Sequence, residues 1–331
     1  MVITKTPFRM SFFGGGTDMK EFYEEYGGSV LSTTFDKYCY VTARKLPEFF
    51  DYTSEFVYSR IERVTDINQL QHPLIRNCMK YQNMHHIHLA YDADLPARTG
   101  LGTSSSFAVG MLNAFHALKG EMADKEKLAN EAIYTERVLC HEAGGIQDQI
   151  AASFGGLNRI DMDANGYHVI PLVISQKRKQ ELNNSLMLFF TGFSHMSATV
   201  QEKVKENFQD KVHRLQKMKE MVDQAQKILT GKGTLAEFGQ LLHESWQIKR
   251  SLSGNISTGD IDAMYEAARK AGAIGGKLLG SGGGGFLLFY VEQDKQPYVK
   301  KALERLLYVP FQFETGGTRI IYYSEEDIVN I

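Results

Sequence analysis

Apolar and polar residues alternate over positions 2–12 and again over 38–44, the period of half-buried strands, with a possible partner strand at 29–35. The chain therefore opens as β. The spacing then predicts a short helix over 72–81 and a strand over 86–91, after which Pro96, Gly100 and Gly102 mark a turn into a strong helical stretch at 104–118. Helices follow at 125–141 and 146–153, and strands at 156–161, 167–172 and 185–191. From 199 to 229 the residues Val200, Val204, Phe208, Val212, Leu215, Met218, Val222, Ala225 and Ile228 recur every three or four positions. That is one long amphipathic helix with a solvated lysine-rich face, closed by Gly231. Further helices are expected at 235–251, 260–271 and 296–307, and strands at 286–291, 308–313 and 319–323. A polar run from Gln176 to Asn184 separates two β runs and sets a domain boundary, giving units 1–180 and 181–331.

A chain of 331 residues suits two domains or one large one, and 43% hydrophobic residues with only seven prolines leave no room for a long disordered region. The formal charge of -2 gives no general reason to expect nucleic acid or an anionic membrane as partner. Any phosphate site must be local. Cys39, Cys78 and Cys140 stand far apart with no CxxC pair, so neither a disulfide framework nor a zinc knuckle is indicated, and they read as reduced thiols of a cytoplasmic protein. The first thirteen residues are too polar for a signal peptide, and no run has the apolar length of a membrane span.

Three glycine-rich segments need a reason, because clustered glycine lowers stability unless the backbone must take positive φ or approach something closely. The first joins Pro96 and Arg98 to Gly100, Leu101, Gly102, Thr103, Ser104 and Ser105, with a helix starting at about the serines. Small residues there let successive N–H groups face an anion at a helix amino terminus, and the hydroxyls could reach a magnesium ion. An ordinary turn with a serine cap is the plainer alternative. The second, 275–285, holds seven glycines in eleven residues. Gly280, Gly282 and Gly285 match G-x-G-x-x-G, but this segment follows a helix and opens a strand, the reverse of a dinucleotide fingerprint. The lysine at 277 also fails the Walker spacing. What remains is a loop that lets another part of the protein, or a substrate, come against bare backbone. In the third, a strand carrying Arg9 runs into Gly14, Gly15, Gly16, Thr17 and Asp18. A carboxylate beside such glycines suits sugar hydroxyls, and a hairpin with a solvent-facing Asp is the alternative.

In order and spacing these segments resemble the GHMP kinase superfamily, over nearly the whole chain and most specifically through P-x-x-x-G-L-G-[ST]-S-S. Within it, the 14–18 segment and Gly144-Gly145-Ile146-Gln147-Asp148-Gln149 look most like the D-glycero-D-manno-heptose phosphate kinases. The resemblance implies an α+β, two-domain fold, an amino-terminal domain like ribosomal protein S5 domain 2 and a ferredoxin-like carboxy-terminal domain, with the active site between them. It implies ATP and magnesium, with 96–106 as the phosphate loop binding ATP through Gly100 to Ser105. Ser104 and Glu136 are then the metal ligands, and Thr103 replaces the first serine of the family's pair.

The same resemblance places Asp148 at the acceptor hydroxyl and Arg9 beside it, where a fixed guanidinium would favour the ionised carboxylate and help neutralise the transferring phosphoryl group. Asp18, with Thr17 and Gly16, would bind the sugar. His195 stands where heptose kinases often carry an arginine, so Lys5, Arg98 and His195 are the remaining candidates for a second phosphate on the sugar. A solvated Glu136–Arg137 helix pair is the plain alternative for Glu136. His85, His86 and His88 lack ligand spacing and read as surface or packing residues, and Trp246 as core. The implied activity is phosphorylation of a heptose phosphate, most simply the anomeric hydroxyl of the 7-phosphate. Competing readings are a fucose or galactose kinase, and a non-catalytic sugar sensor, which would not need Arg9, Ser104, Glu136 and Asp148 together. A homo-oligomer is compatible with all of them.

Overall fold

A computed structural model describes residues 1–192, 208–231 and 233–325. The first half runs β1 (Val2–Phe13), α1 (Lys20–Tyr26), β2 (Gly28–Lys45), β3 (Ser54–Val57), β4 (Ile61–Val64), α2 (Pro73–Tyr81), β5 (Ile87–Ala93), α3 (Thr103–Leu118), α4 (Lys125–Ile133), α5 (Gln147–Phe154), β6 (Leu157–Asp163), β7 (Gly166–Pro171) and α6 (Gln176–Asn184). The second runs β8 (Leu186–Phe190), α7 (Phe208–Thr230), α8 (Ala236–Arg250), α9 (Gly259–Lys270), β9 (Gly275–Leu278), β10 (Phe286–Tyr290), α10 (Gln296–Ala302), β11 (Leu307–Val309), β12 (Phe313–Glu314) and β13 (Arg319–Tyr323).

A large sheet has the order β13-β1-β2-β5-β3-β4, with β12 and β6 on β2 and β7 on β6. A second sheet, β11-β8-β10-β9, places its fourth, first, third and second strands side by side. That is the ferredoxin-like order. Along β1 every other residue is buried at first, but from Thr6 onward every residue is buried. The second half of β1 is sandwiched: Phe12 and Phe13 meet Phe238 of α8 edge to face at 5.4 and 5.2 Å, in one core with Leu186, Leu188 and Phe286 of the second sheet.

Several elements differ from the sequence expectation. The expected strands at 29–35 and 38–44 are one strand, β2, eighteen residues long, and both parts pair with β1, through Leu31 to Phe35 and Tyr38 to Ala43. The apparent break is a bulge. The register slips between Pro7 and Phe8, leaving Asp36 and Lys37 unmatched opposite a proline that has no N–H to donate. The helix expected over 125–141 gives way at Tyr134–Leu139 to a π turn, which carries Glu136. The polar run at the 180/181 boundary is a helix, α6, capped by Ser175. Periodicity also overlooked α1, β3, β4 and the buried β9. Residues 199–207 of the long helix lie outside the described residues. Among the described residues, no helix is long and apolar enough to cross a membrane.

The glycine segments explain one another. A Cβ on Gly100 would collide with Leu279 and Gly280, and one on Gly285 with Thr99. The two loops pack backbone against backbone and join the two units at the mouth of a cleft.

The last strands return to the first sheet, β13 on β1 and β12 on β2. Glu314 fastens them: its carboxylate accepts from the N–H groups of Thr315 and Gly316, from the Tyr38 hydroxyl and from Arg319. Burial opposes its charge, but these donors outweigh burial and pull the carboxyl from 4.5 to about 2. The stability it contributes is thus present above pH 4.5 and lost as pH falls through about 2. Glu314→Gln should lower stability at neutral pH by about 1–3 kcal/mol in urea unfolding. Its difference from wild type should shrink on acidification, and a pH-independent difference would contradict this assignment.

Candidate active site

Strand β1 delivers Arg9 to the seam between the two units, where its side chain is 6% exposed. Its Nε and Nη2 donate to Oδ1 and Oδ2 of Asp148 at 2.7 and 2.8 Å, and its Nη1 donates to the Gly100 carbonyl at 2.7 Å. The Arg9 backbone N–H donates to the Leu101 carbonyl at 3.2 Å. One residue therefore holds both the glycine loop at 100–102 and Asp148, which sits in the first turn of α5.

The loop itself needs glycine. Gly100 and Gly102 have φ of +82° and +72°, and a Cβ on Gly102 would lie 3.2 Å from Arg9 Cγ and 3.3 Å from the Asp148 carboxylate. Gly102 caps α3, whose first internal bond is Ser106 N–H to the Gly102 carbonyl. The N–H groups of Thr103, Ser104 and Ser105 precede it without helical partners, beside the Arg9–Asp148 pair.

The side chains of this loop divide differently from expectation. Leu101 is buried in the core, so only its backbone can meet a ligand. Thr103 is also buried; its hydroxyl accepts from Arg98 N–H at 3.3 Å and closes the loop. Ser105, expected to touch nucleotide, is buried and donates to Glu136 Oε2 at 2.7 Å. Ser104 is the exposed hydroxyl at the helix start. Glu136 is fully buried; its Oε2 also accepts from Gln149, while Oε1 is buried with no hydrogen-bond partner. A buried carboxylate oxygen left orphaned close to a phosphate-type loop fits a hard cation. Among the described residues no three acidic, histidine or cysteine side chains gather into a metal cluster, so such an ion would need oxygens from substrate and water.

On the other side of Asp148 lies Asp18. Its Oδ1 accepts from Gly16 N–H and its Oδ2 from Gln147 Nε2, each at 2.9 Å. Burial, with the charge of Asp148 adding, pushes its carboxyl above the usual range against those two donors. Gly145 must be glycine here, because a Cβ would overlap the Asp18 carboxylate. Arg137 pins that loop through the Gly145 carbonyl at 3.1 Å. Thr17, expected at the substrate, is instead fully buried, its hydroxyl 2.8 and 2.9 Å from the Gly14 and Ser29 carbonyls. It braces the loop that presents Gly16 and Asp18.

Arg9, Gly16, Asp18, Gln147 and Asp148 line one cleft, joined by Ser11, Lys249 and Lys277. Sequence reasoning missed these last three and the role of Gln147. Ser11 could have been found, since it lies two residues beyond Arg9 and so on the same face of β1. Ser11 Oγ and Gln147 Oε1 are buried without partners, as befits groups that meet ligand hydroxyls. In the sequence nothing marks Lys249 on its helix, and Lys277 lies among glycines that fail the Walker spacing. Lys5 stacks 3.7 Å from the centre of the Tyr38 ring, outside the cleft lining, and His195 lies outside the described residues.

The models of the GHMP kinases N terminal domain and the GHMP kinases C terminal domain match residues 70–156 and 221–309. A D-glycero-alpha-D-manno-heptose 7-phosphate kinase from Campylobacter jejuni is 29% identical, over 91% of this chain and 93% of its own. The L-fucokinase/L-fucose-1-P guanylyltransferase of Bacteroides fragilis is 28% identical over 63% of this chain and 22% of its own. The crystal structure of a D-glycero-D-manno-heptose 1-phosphate kinase from Bacteroides thetaiotaomicron superposes with a TM-score of 0.81 at 26% identity, covering 98% of this chain and all of that one. The matched family and the fold are those of phosphotransferases with an alcohol acceptor. The chain belongs to the GHMP kinase family.

Gly145→Ala has ordinary backbone geometry, so its one conflict is with the Asp18 carboxylate. Steady-state kinetics should show the acceptor KM raised roughly 10-fold or more, the loss of a hydrogen bond to a charged group, with the KM for ATP little changed. Unchanged acceptor KM would remove Asp18 from the acceptor site.

Proposed function

We propose that this chain transfers the γ-phosphoryl group of ATP to a hydroxyl of a heptose phosphate, the anomeric hydroxyl of D-glycero-D-manno-heptose 7-phosphate being the best candidate. The observation that carries the reading is Asp148, clamped by Arg9 between the phosphate loop and Asp18. The names and coverage of the heptose kinase relatives support the choice of sugar.

In this reading the N–H groups at the start of α3 and the backbone of 100–102 hold the nucleotide phosphates, and Asp18, Gln147 and Ser11 orient the sugar. Magnesium held by Glu136 and Ser104 would supply charge neutralisation on the nucleotide. Asp148 accepts the proton of the attacking hydroxyl as the new oxygen–phosphorus bond forms and the bond to ADP breaks, while Arg9 keeps the carboxylate in line. Ser105 and Gln149 act one step back, aiming Glu136.

Asp148→Asn should lower kcat by roughly 10²- to 10⁴-fold with little change in ATP affinity. A panel of heptose 7-phosphate, unphosphorylated heptose, fucose and galactose, followed by ADP release and phosphorus NMR of the product, tests the substrate. The reading expects heptose 7-phosphate to have the highest kcat/KM and the product to carry a second phosphate at the anomeric carbon. Equal efficiency with fucose would favour the second reading, to which the partial match to a fucokinase points.

A further inference from the structure

The cleft contains two cations for which neither the fold nor the mechanism above has a use. Lys249 reaches it from α8 and Lys277 from β9. Lys277 is 2% exposed, and its Nζ donates to the Phe12 carbonyl at 2.7 Å. The Nζ of Lys249 donates to the Gly280 carbonyl, in the glycine loop that packs on Gly100. An ammonium has three N–H groups, so each lysine retains donors beyond its one carbonyl.

The nearby carboxylates are already engaged, Asp148 with Arg9 and Asp18 with Gly16 and Gln147. Neither lysine forms an ion pair with a described carboxylate. Two partly or wholly buried ammonium groups without counterions are costly unless an anion arrives with the ligand. Of the candidates expected from sequence, Lys5 lies on Tyr38 and Arg98 is exposed, both outside the cleft lining, while Arg9 is occupied by Asp148 and Gly100 and His195 lies outside the described residues.

We propose that Lys249, backed by Lys277, forms a phosphoryl-binding subsite in the cleft, separate from the amides at the start of α3, that takes a terminal phosphoryl group as its dianion. This rests on the kinase reading only for the source of the dianion, either the acceptor's own phosphate or the phosphoryl group in transfer. The electrostatics agree. Burial and then the Arg9 charge push Lys249 down to about 8, with Asp18 opposing, and burial, Lys249 and Arg9 push Lys277 well below its ordinary value. Arg9 from β1, Asp18 from the loop after it, Arg137 from the π turn, Asp148 from α5 and Lys277 from β9 are the charged groups that Lys249 feels or lines the cleft with. A lysine lowered in this way is cationic below about pH 8 and loses its charge as pH rises through that value. Dianion binding should weaken with it.

The test uses the full chain with Lys249→Met and Lys249→Arg, titration calorimetry with heptose 7-phosphate and with unphosphorylated heptose, and kcat on both. Removal of a charge-assisted hydrogen bond should cut heptose 7-phosphate affinity about 10- to 100-fold in Lys249→Met, while Lys249→Arg stays within a few fold of wild type. Wild-type affinity should fall between about pH 7 and 9, and Lys249→Arg should flatten that fall, because a guanidinium stays charged throughout. A loss confined to the phosphorylated sugar assigns the subsite to the acceptor's phosphate. If binding is intact and kcat falls alike on both sugars, the group bound is the one in transfer. Binding and kcat both within about twofold of wild type in Lys249→Met would overturn the proposal. Wild type that binds heptose 7-phosphate through Lys249 yet releases no ADP would overturn the kinase reading and leave the subsite standing.

Discussion

The Arg9 guanidinium is the contact on which the arrangement of the cleft depends. It is nearly inaccessible, and such a charge is tolerable only when its donors are met; here two go to one carboxylate and one to a loop carbonyl. Because those partners lie 91 and 139 residues away in sequence, satisfying one side chain fixes three separate segments: the first strand, the glycine loop at 100–102 and the start of α5. The absence of a side chain at Gly102 follows, since the loop passes directly over the ion pair. Asp18, Gly145 and Gln147 then form a second layer around the same helix start.

A second constraint joins the two units. Glycine at 100, 280 and 285 lets one loop lie on the other with no side chains between, so the glycine loop of the first unit is shaped by backbone of the second. Phe12, Phe13 and Phe238 seal the seam below. A cleft built this way takes groups from both units: Arg9, Ser11 and Asp18 from one, Lys249 and Lys277 from the other. Its chemistry is divided between them.

Local pattern carried much of the fold. The alternation of β1, the apolar run of α3 and the glycine turn before it are all local, and each stands within a residue or two of its expected limits. What escaped depends on distant partners. The register of β2 across Asp36 and Lys37 slips opposite Pro7 on the neighbouring strand, and the π turn at Tyr134–Leu139 carries Glu136, whose contacts are with Ser105 and Gln149 on other helices. At the site, residue types were legible and their division of labour was not. Which of Ser104 and Ser105 meets Glu136, and whether Thr17 faces ligand or backbone, turns on rotation about a helix and a loop that adjacent positions do not reveal. Lys249 and Lys277 escaped because a lysine on a helix or between glycines looks solvated until the opposing unit closes over it.

The central claim is that Arg9 and Asp148 act as one unit in phosphoryl transfer. A double-mutant cycle in kcat tests this most directly, with Arg9→Met, Asp148→Asn and the double variant compared under saturating ATP and sugar. The account predicts strong non-additivity, the double variant being about as slow as Asp148→Asn alone. Multiplicative losses, with the double variant slower by the full product of the two single effects, would contradict it.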